Sequence, residues 1–166
     1  MKKLLAIAVL LFAANTMYAQ QGSMYAGGGI GFAEDYWKFA PEAGYWLQDN
    51  LQLGLVLHLE GDNTGATDVT TIAPHVYGRY WWPISEKFSL YAGANIRINS
   101  VSSDPGDSDT NVDVFADGGF AFAIAPRWGM VGRIVSVGLI NESFTLDANM
   151  SPQSMFNVGI YYTFKQ

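Results

Sequence analysis

The chain has no cysteine among its 166 residues. That excludes disulfides, thiolate metal sites and attachment of a lipid through an N-terminal thioether. Charge is sparse, at 14% of residues, and basic charge is the scarcer kind: Lys and Arg number 9 against 15 Asp and Glu. No basic patch for nucleic acid is available. Beyond the N-terminal segment no long uninterrupted apolar run occurs, which argues against membrane-spanning helices. Glycine (18 residues) and aromatic side chains (14%) are abundant instead.

The first 19 residues read as an export signal and not as part of the fold. Lys2 and Lys3 form a positive start, Leu4 to Ala14 an apolar stretch, and Met17-Tyr18-Ala19 a small-residue cleavage site before Gln20. The apolar stretch is too short to span a bilayer as a helix, which takes about 20 residues. A buried N-terminal helix is the alternative. Removing residues 1–19 takes away two lysines and no acid, leaving 7 basic and 15 acidic residues, a net charge of −8. The remaining residues, 20–166, suit one domain.

What is present is alternation. Leu51-Gln-Leu-Gly-Leu-Val-Leu-His-Leu-Glu60 places leucine at odd positions and Gln52, Gly54, Val56, His58 and Glu60 between them. Successive side chains of a strand point to opposite faces, so this segment is oily on one side and mixed-polar on the other. The same period predicts eight strands, over about Ser23–Ala33, Tyr36–Leu47, Leu51–Glu60, Thr70–Trp82, Lys87–Asn99, Asn111–Ile124, from Trp128 onward, and Gln153–Phe164. The seventh loses phase near Ser136, as a β-bulge would cause. The apolar rows carry no charge. The opposite rows carry Lys38, Glu42, His58, Glu60, His75, Arg79, Arg97, Asp113, Asp117 and Arg133. Water would receive that row in a soluble barrel, whereas a membrane barrel turns it into the lumen, where opposite charges pair.

Connection lengths alternate as well. Short turns are expected near 48–50, 83–86 and 125–126, and long connections near 61–69, 100–110 and 140–152, as in barrels with short periplasmic turns and longer external loops. The connection at Glu34-Asp35 is short. Pro41 and Pro74 fall inside strands, where proline removes a ladder donor and requires a bulge or a strand start. The expected fold is therefore all-β: an eight-stranded antiparallel up-and-down transmembrane β-barrel. Eight strands enclose a space that side chains fill, here Tyr36, Trp46, Tyr77, Trp81, Tyr91, Phe115 and Tyr161. We expect an interior ion-pair network of Glu42, Arg79, Arg97, Asp113, Asp117 and Arg133, with Glu42 and Asp117 facing Arg133 and Arg79, because buried charges are tolerated only when paired. His58 and His75 are interior polar groups; a metal or catalytic role would need a third partner.

With these features the chain resembles the small OmpA/OmpX-like outer-membrane β-barrel proteins of Gram-negative bacteria. The resemblance spans residues 20–166. It rests on the export signal, Met24-Tyr-Ala-Gly-Gly-Gly-Ile-Gly-Phe32, Pro41-Glu-Ala-Gly-Tyr-Trp46 with Asp49-Asn50-Leu-Gln-Leu-Gly54, and the terminal Gly159-Ile-Tyr-Tyr-Thr-Phe164. It implies outer-membrane lipids and lipopolysaccharide as surroundings. It also implies the barrel-assembly machinery as a partner, reading Phe156, Tyr162 and Phe164, and a structural or surface-interaction role whose host or surface ligand it does not name. Fold alone does not fix function.

Other motifs carry less. Trp37, Tyr45, Trp82, Trp128 and Tyr162 lie near strand ends, where barrels place interfacial aromatics; core packing in a soluble barrel is the alternative. Gly27-Gly28-Gly29-Ile30-Gly31 lacks the strand–turn–helix setting and the Lys-Ser/Thr of a phosphate loop. Asp104, Asp107 and Asp109 form a weak oxygen-ligand cation candidate without EF-hand spacing, against a plain solvated loop. Asn141-Glu-Ser143 and Asn149-Met-Ser151 match the glycosylation sequon, a chance match in the bacterial context that the resemblance implies. No cofactor and no nucleic acid are expected. The rival readings are an outer-membrane lipid-modifying enzyme, which needs an activated nucleophile; a soluble lipocalin-like periplasmic binder; and a narrow channel.

Overall fold

The computed structural model describes residues 21–63, 68–103, 106–148 and 158–164. The export signal, Asp104, Phe156 and the first part of the expected eighth strand lie outside them. Among the described residues there are nine strands: β1 (Met24–Ala33), β2 (Tyr36–Gln48), β3 (Leu51–Asp62), β4 (Val69–Pro83), β5 (Phe88–Ser103), β6 (Asp107–Ala125), β7 (Trp128–Ile140), β8 (Ser143–Asp147) and β9 (Val158–Phe164). Neighbours pair antiparallel from β1 to β7, and β9 pairs with both β7 and β1, so a ring of eight closes. The N-terminal half of β7 pairs with β9 and its C-terminal half with β8.

Alternation sets the two faces. Leu53, Leu55 and Leu57 are 44%, 61% and 40% exposed, while Gln52, Gly54 and Val56 between them are buried. From Trp37 to Leu47 the outward row of β2 advances ten residue steps. At about 3.3 Å per residue and a tilt near 40°, that is a band about 25 Å tall, the thickness an outer-membrane barrel presents to lipid. Equivalent apolar rows run Ile72 to Trp82 and Phe88 to Ile98, beyond which Thr70 and Ser100 turn the outward face polar.

Two expectations are corrected, the loop at 100–110 and the bulge or strand start at each proline, and two are given detail, the connection at 140–152 and the bulge in β7. Residues 100–110 are not a loop throughout: Ser100 pairs with Thr110 and Ser103 with Asp107, so the β5–β6 ribbon continues past the apolar band. Once outside lipid, the outward face has no need of apolar side chains, and the signature of a strand fades although its ladder persists. The 140–152 connection contains β8, joined to β7 by a turn at Asn141 and Glu142, both with positive φ (49° and 61°). The bulge expected near Ser136 is present: Gly118 faces Val135 and Gly119 faces Arg133, leaving Ile134 as the additional residue. Finally, neither proline starts a strand or shifts the register. Pairing of β2 with β3 lapses between Phe39↔Leu59 and Glu42↔Val56, and that of β4 with β5 between Ile72↔Ser100 and His75↔Arg97, with unchanged register on either side. The ring absorbs each proline as a missing rung.

Candidate functional site in the barrel interior

The inward rows converge on Glu42. From β2 its carboxylate accepts hydrogen bonds from Tyr77 of β4 and, at 2.8 Å, from Tyr161 of β9, and it pairs with Arg79 of β4 at 3.3 Å. Tyr25 of β1 hydrogen-bonds Tyr77. The Arg79 guanidinium lies 3.8 Å above the Tyr77 ring and 4.8 Å from the centroid of Tyr91 on β5, within cation–π range. Inward glycines make this crowding possible. A Cβ on Gly54 would meet the hydroxyls of Tyr25 and Tyr77, and one on Gly93 would meet the Asp117 carboxylate.

A second cluster surrounds Asp117 of β6, which accepts from Tyr91 (3.2 Å) and Asn95 Nδ2 (2.8 Å). Asn95 Oδ1 is 2.9 Å from His75 Nε2, and His75 Nδ1 is 3.2 Å from His58 Nε2. An amide oxygen only accepts, so His75 carries its proton on Nε2 and, when neutral, receives the His58 proton on Nδ1. Arg133 lies in the fields of Asp117 and Tyr91. Arg97 and Asp113 form a separate pair. Arg97 donates to Asp113 from Nε (3.0 Å) and Nη2 (2.5 Å), and Asp113, fully buried, also accepts from Asn99 (2.8 Å) and the Asn141 backbone N–H (2.9 Å). Lys38 and Glu60 pair at 2.6 Å, with Tyr36 donating to Glu60 at 3.0 Å. Below, Trp81 Nε1 donates to Gln52 (3.1 Å), and its ring meets Trp46 and Tyr91.

Of the six charged residues expected inside, Glu42 pairs with Arg79 and Arg97 with Asp113, while Tyr91, under the Arg79 guanidinium, donates to Asp117, whose field reaches Arg133. Sequence reasoning missed Tyr25, Asn95, Asn99 and Gln52 as members. Each stands on an inward position by parity alone, so the signal was present.

The exposed apolar wall around this polar interior matches a known pattern. The sequence signature of the outer membrane protein β-barrel domain covers residues 4–164. The chain belongs to that family. Comparison with curated proteins finds no match. Among solved structures, the N-terminal β-barrel domain of Pseudomonas aeruginosa OprF is similar, with a TM-score of 0.62, 14% identity, and 87% of this chain and 98% of that one covered. Neisserial surface protein A is similar too, with a TM-score of 0.59, 15% identity, and 86% and 95% covered. At such identity the likeness speaks to fold alone.

In this outer-membrane barrel, Tyr45, Trp82, Trp128 and Tyr162 gather at the end carrying the turns at 49–50, 84–87 and 126–127, while Trp37 stands at the opposite end over Gly61. Trp128 packs edge-on to Tyr162 (5.0 Å), which packs on Phe164 (5.0 Å). Asp109 lies in β6 opposite Val101, and its side chain accepts from the Thr110 N–H at 2.8 Å. Among the described residues no group of three or more His, Cys, Asp or Glu is placed to hold a metal ion.

Proposed function

We propose that this outer-membrane barrel is a closed, non-enzymatic element of the envelope, exported by its N-terminal signal and inserted by the barrel-assembly machinery. In this reading it acts through its external connections and not through its lumen. The observation that carries it is the convergence on Glu42 of side chains from β4 and β9, with Tyr25 of β1 bonded to Tyr77, a cluster that reaches across the lumen. Tyrosine rings and a paired guanidinium occupy the space a solute would need. The β5–β6 ribbon, polar on its outward face beyond Ile98, offers a surface to a partner or to lipopolysaccharide headgroups.

Planar-bilayer recording tests the closed lumen: conductance at background is expected, and discrete channel openings would refute it. Incubation with purified lipopolysaccharide tests the rival enzyme; release of acyl chains would overturn the non-enzymatic reading.

A further inference from the structure

The two missing rungs lie in one line across the wall. Pro41 stands opposite Leu57 by the register of β2 and β3, Leu57 pairs with Pro74, and Pro74 stands opposite Ile98 by the register of β4 and β5. Hydrogen-bond phase decides which acceptors are left. Trp46 N donates to Ser23 O and Trp81 N to Asn50 O. Residues of an antiparallel strand direct their polar groups alternately to one neighbour and the other. Even-numbered β2 residues therefore address β1 and odd-numbered ones β3; odd-numbered β4 residues address β3 and even-numbered ones β5. The Pro41 nitrogen thus faces the Leu57 carbonyl, and the Pro74 nitrogen faces that of Ile98. Neither proline has a proton to give. Within lipid, a backbone acceptor without its donor is costly, because no bulk water replaces it.

At the same place the outer wall is shallowly indented. A shallow groove of about 430 Å³ is lined by the outward-row residues Pro41, Ala43, Leu55, Leu57, Pro74 and Val76, together with Glu42, Val56 and His75 between them. Its lipid-facing side chains are exposed, Leu55 at 61% and Val76 at 53%. It lies toward the Trp37 end of the apolar band, opposite the periplasmic turns.

We propose that this groove binds a hydroxylated acyl chain of an outer-leaflet lipid, whose hydroxyl donates to the Leu57 carbonyl that Pro41 leaves without a ladder partner. The inference rests on the outer-membrane reading and adds a lipid site to it. The methylenes of such a chain fill the apolar groove, and its hydroxyl supplies the donor a plain chain lacks.

The test uses the intact mature chain, isotope-labelled and folded in phosphatidylcholine bicelles. It is titrated with 3-hydroxytetradecanoic, 8-hydroxytetradecanoic or tetradecanoic acid while the Leu57 carbonyl and neighbouring amide resonances are followed. One of the hydroxy acids is expected to shift the Leu57 carbonyl saturably, at roughly fivefold lower concentration than the plain acid, the worth of about one net hydrogen bond. Pro41→Ala restores an N–H to the rung and is expected to abolish that preference; Leu55→Trp fills the groove and is expected to weaken all three acids. Equal response to hydroxylated and plain chains, or a preference that survives Pro41→Ala, overturns the proposal. Groove shifts that accompany slower tumbling without added acid assign the surface to a second copy and overturn it as well. Loss of barrel amide dispersion in bicelles would instead overturn the membrane-barrel reading beneath it.

Discussion

Replacing Glu42 by alanine removes three interactions at once: the Arg79 ion pair and the hydrogen bonds from Tyr77 and Tyr161. The Arg79 side chain is only 9% exposed, so its guanidinium loses its carboxylate without gaining bulk water. Hydrogen bonds to a charged group contribute about 1.5–3 kcal/mol each and do not add. Breaking a buried pair from one side costs about 3–5 kcal/mol, and the stranded phenols place Glu42→Ala toward the upper end. Glu42→Gln keeps an acceptor for the phenols and should lose less. Glu42→Ala with Arg79→Met removes the stranded charge and should recover part of the loss. The assay is reversible urea unfolding in detergent or vesicles, followed by tryptophan fluorescence and by heat-modifiable gel migration. If Glu42→Ala unfolds within about 0.5 kcal/mol of wild type, a variation typical of surface substitutions, the cluster does not hold the barrel together.

Other perturbations address separate parts. Gly54→Ala drives a methyl into the hydroxyls of Tyr25 and Tyr77 and should cost about 1–3 kcal/mol as overpacking, read in the same urea titration. Asp113→Ala leaves Arg97 unpaired and frees the Asn141 amide from its anchor; faster hydrogen exchange at Asn141 than at Gly93 is the expected mark of a loosened β7–β8 turn. Trp128→Ala removes the ring packed on Tyr162; a loss of about 0.5–1.5 kcal/mol beyond that of area is expected, and no loss in vesicles would argue against an interfacial role.

Much of this fold is legible in the chain because a barrel in lipid needs only one rule, apolar on every second residue. Leu51 to Leu59 states it openly, and the bulge is legible too, since Ile134 and Val135 are adjacent apolar residues that one phase cannot both satisfy. The rule fails where its cause ends. Ser100, Ser102, Ser108 and Thr110 lie past the apolar band, so their strands are held by backbone pairing that leaves no hydropathic trace. Parity tells that Tyr25, Tyr77 and Tyr161 all look inward, but not that Tyr77 and Tyr161 meet at one carboxylate with Tyr25 bonded to Tyr77. That depends on the stagger with which β9 returns to β1, Gly28 opposite Ile160, a consequence of closure that no local pattern encodes.

This division bears on how the register is chosen. Outward leucines favour lipid over water in any register that keeps them outward. A slip of one residue would reverse every face and is excluded by burial, but a slip of two preserves both faces and costs the wall little. The interior does discriminate. Sliding β2 by two residues against β1 and β3 puts Ala40 or Gly44 where Glu42 stands, and Arg79, Tyr77 and Tyr161 lose their common acceptor. The polar interior therefore selects among registers that the apolar wall treats alike. A chain with Glu42→Ala, Arg79→Met and Tyr77→Phe should still form a barrel by circular dichroism yet show doubled amide resonances along β2 and β3. A single sharp set would mean that turns and closure fix the register without the interior.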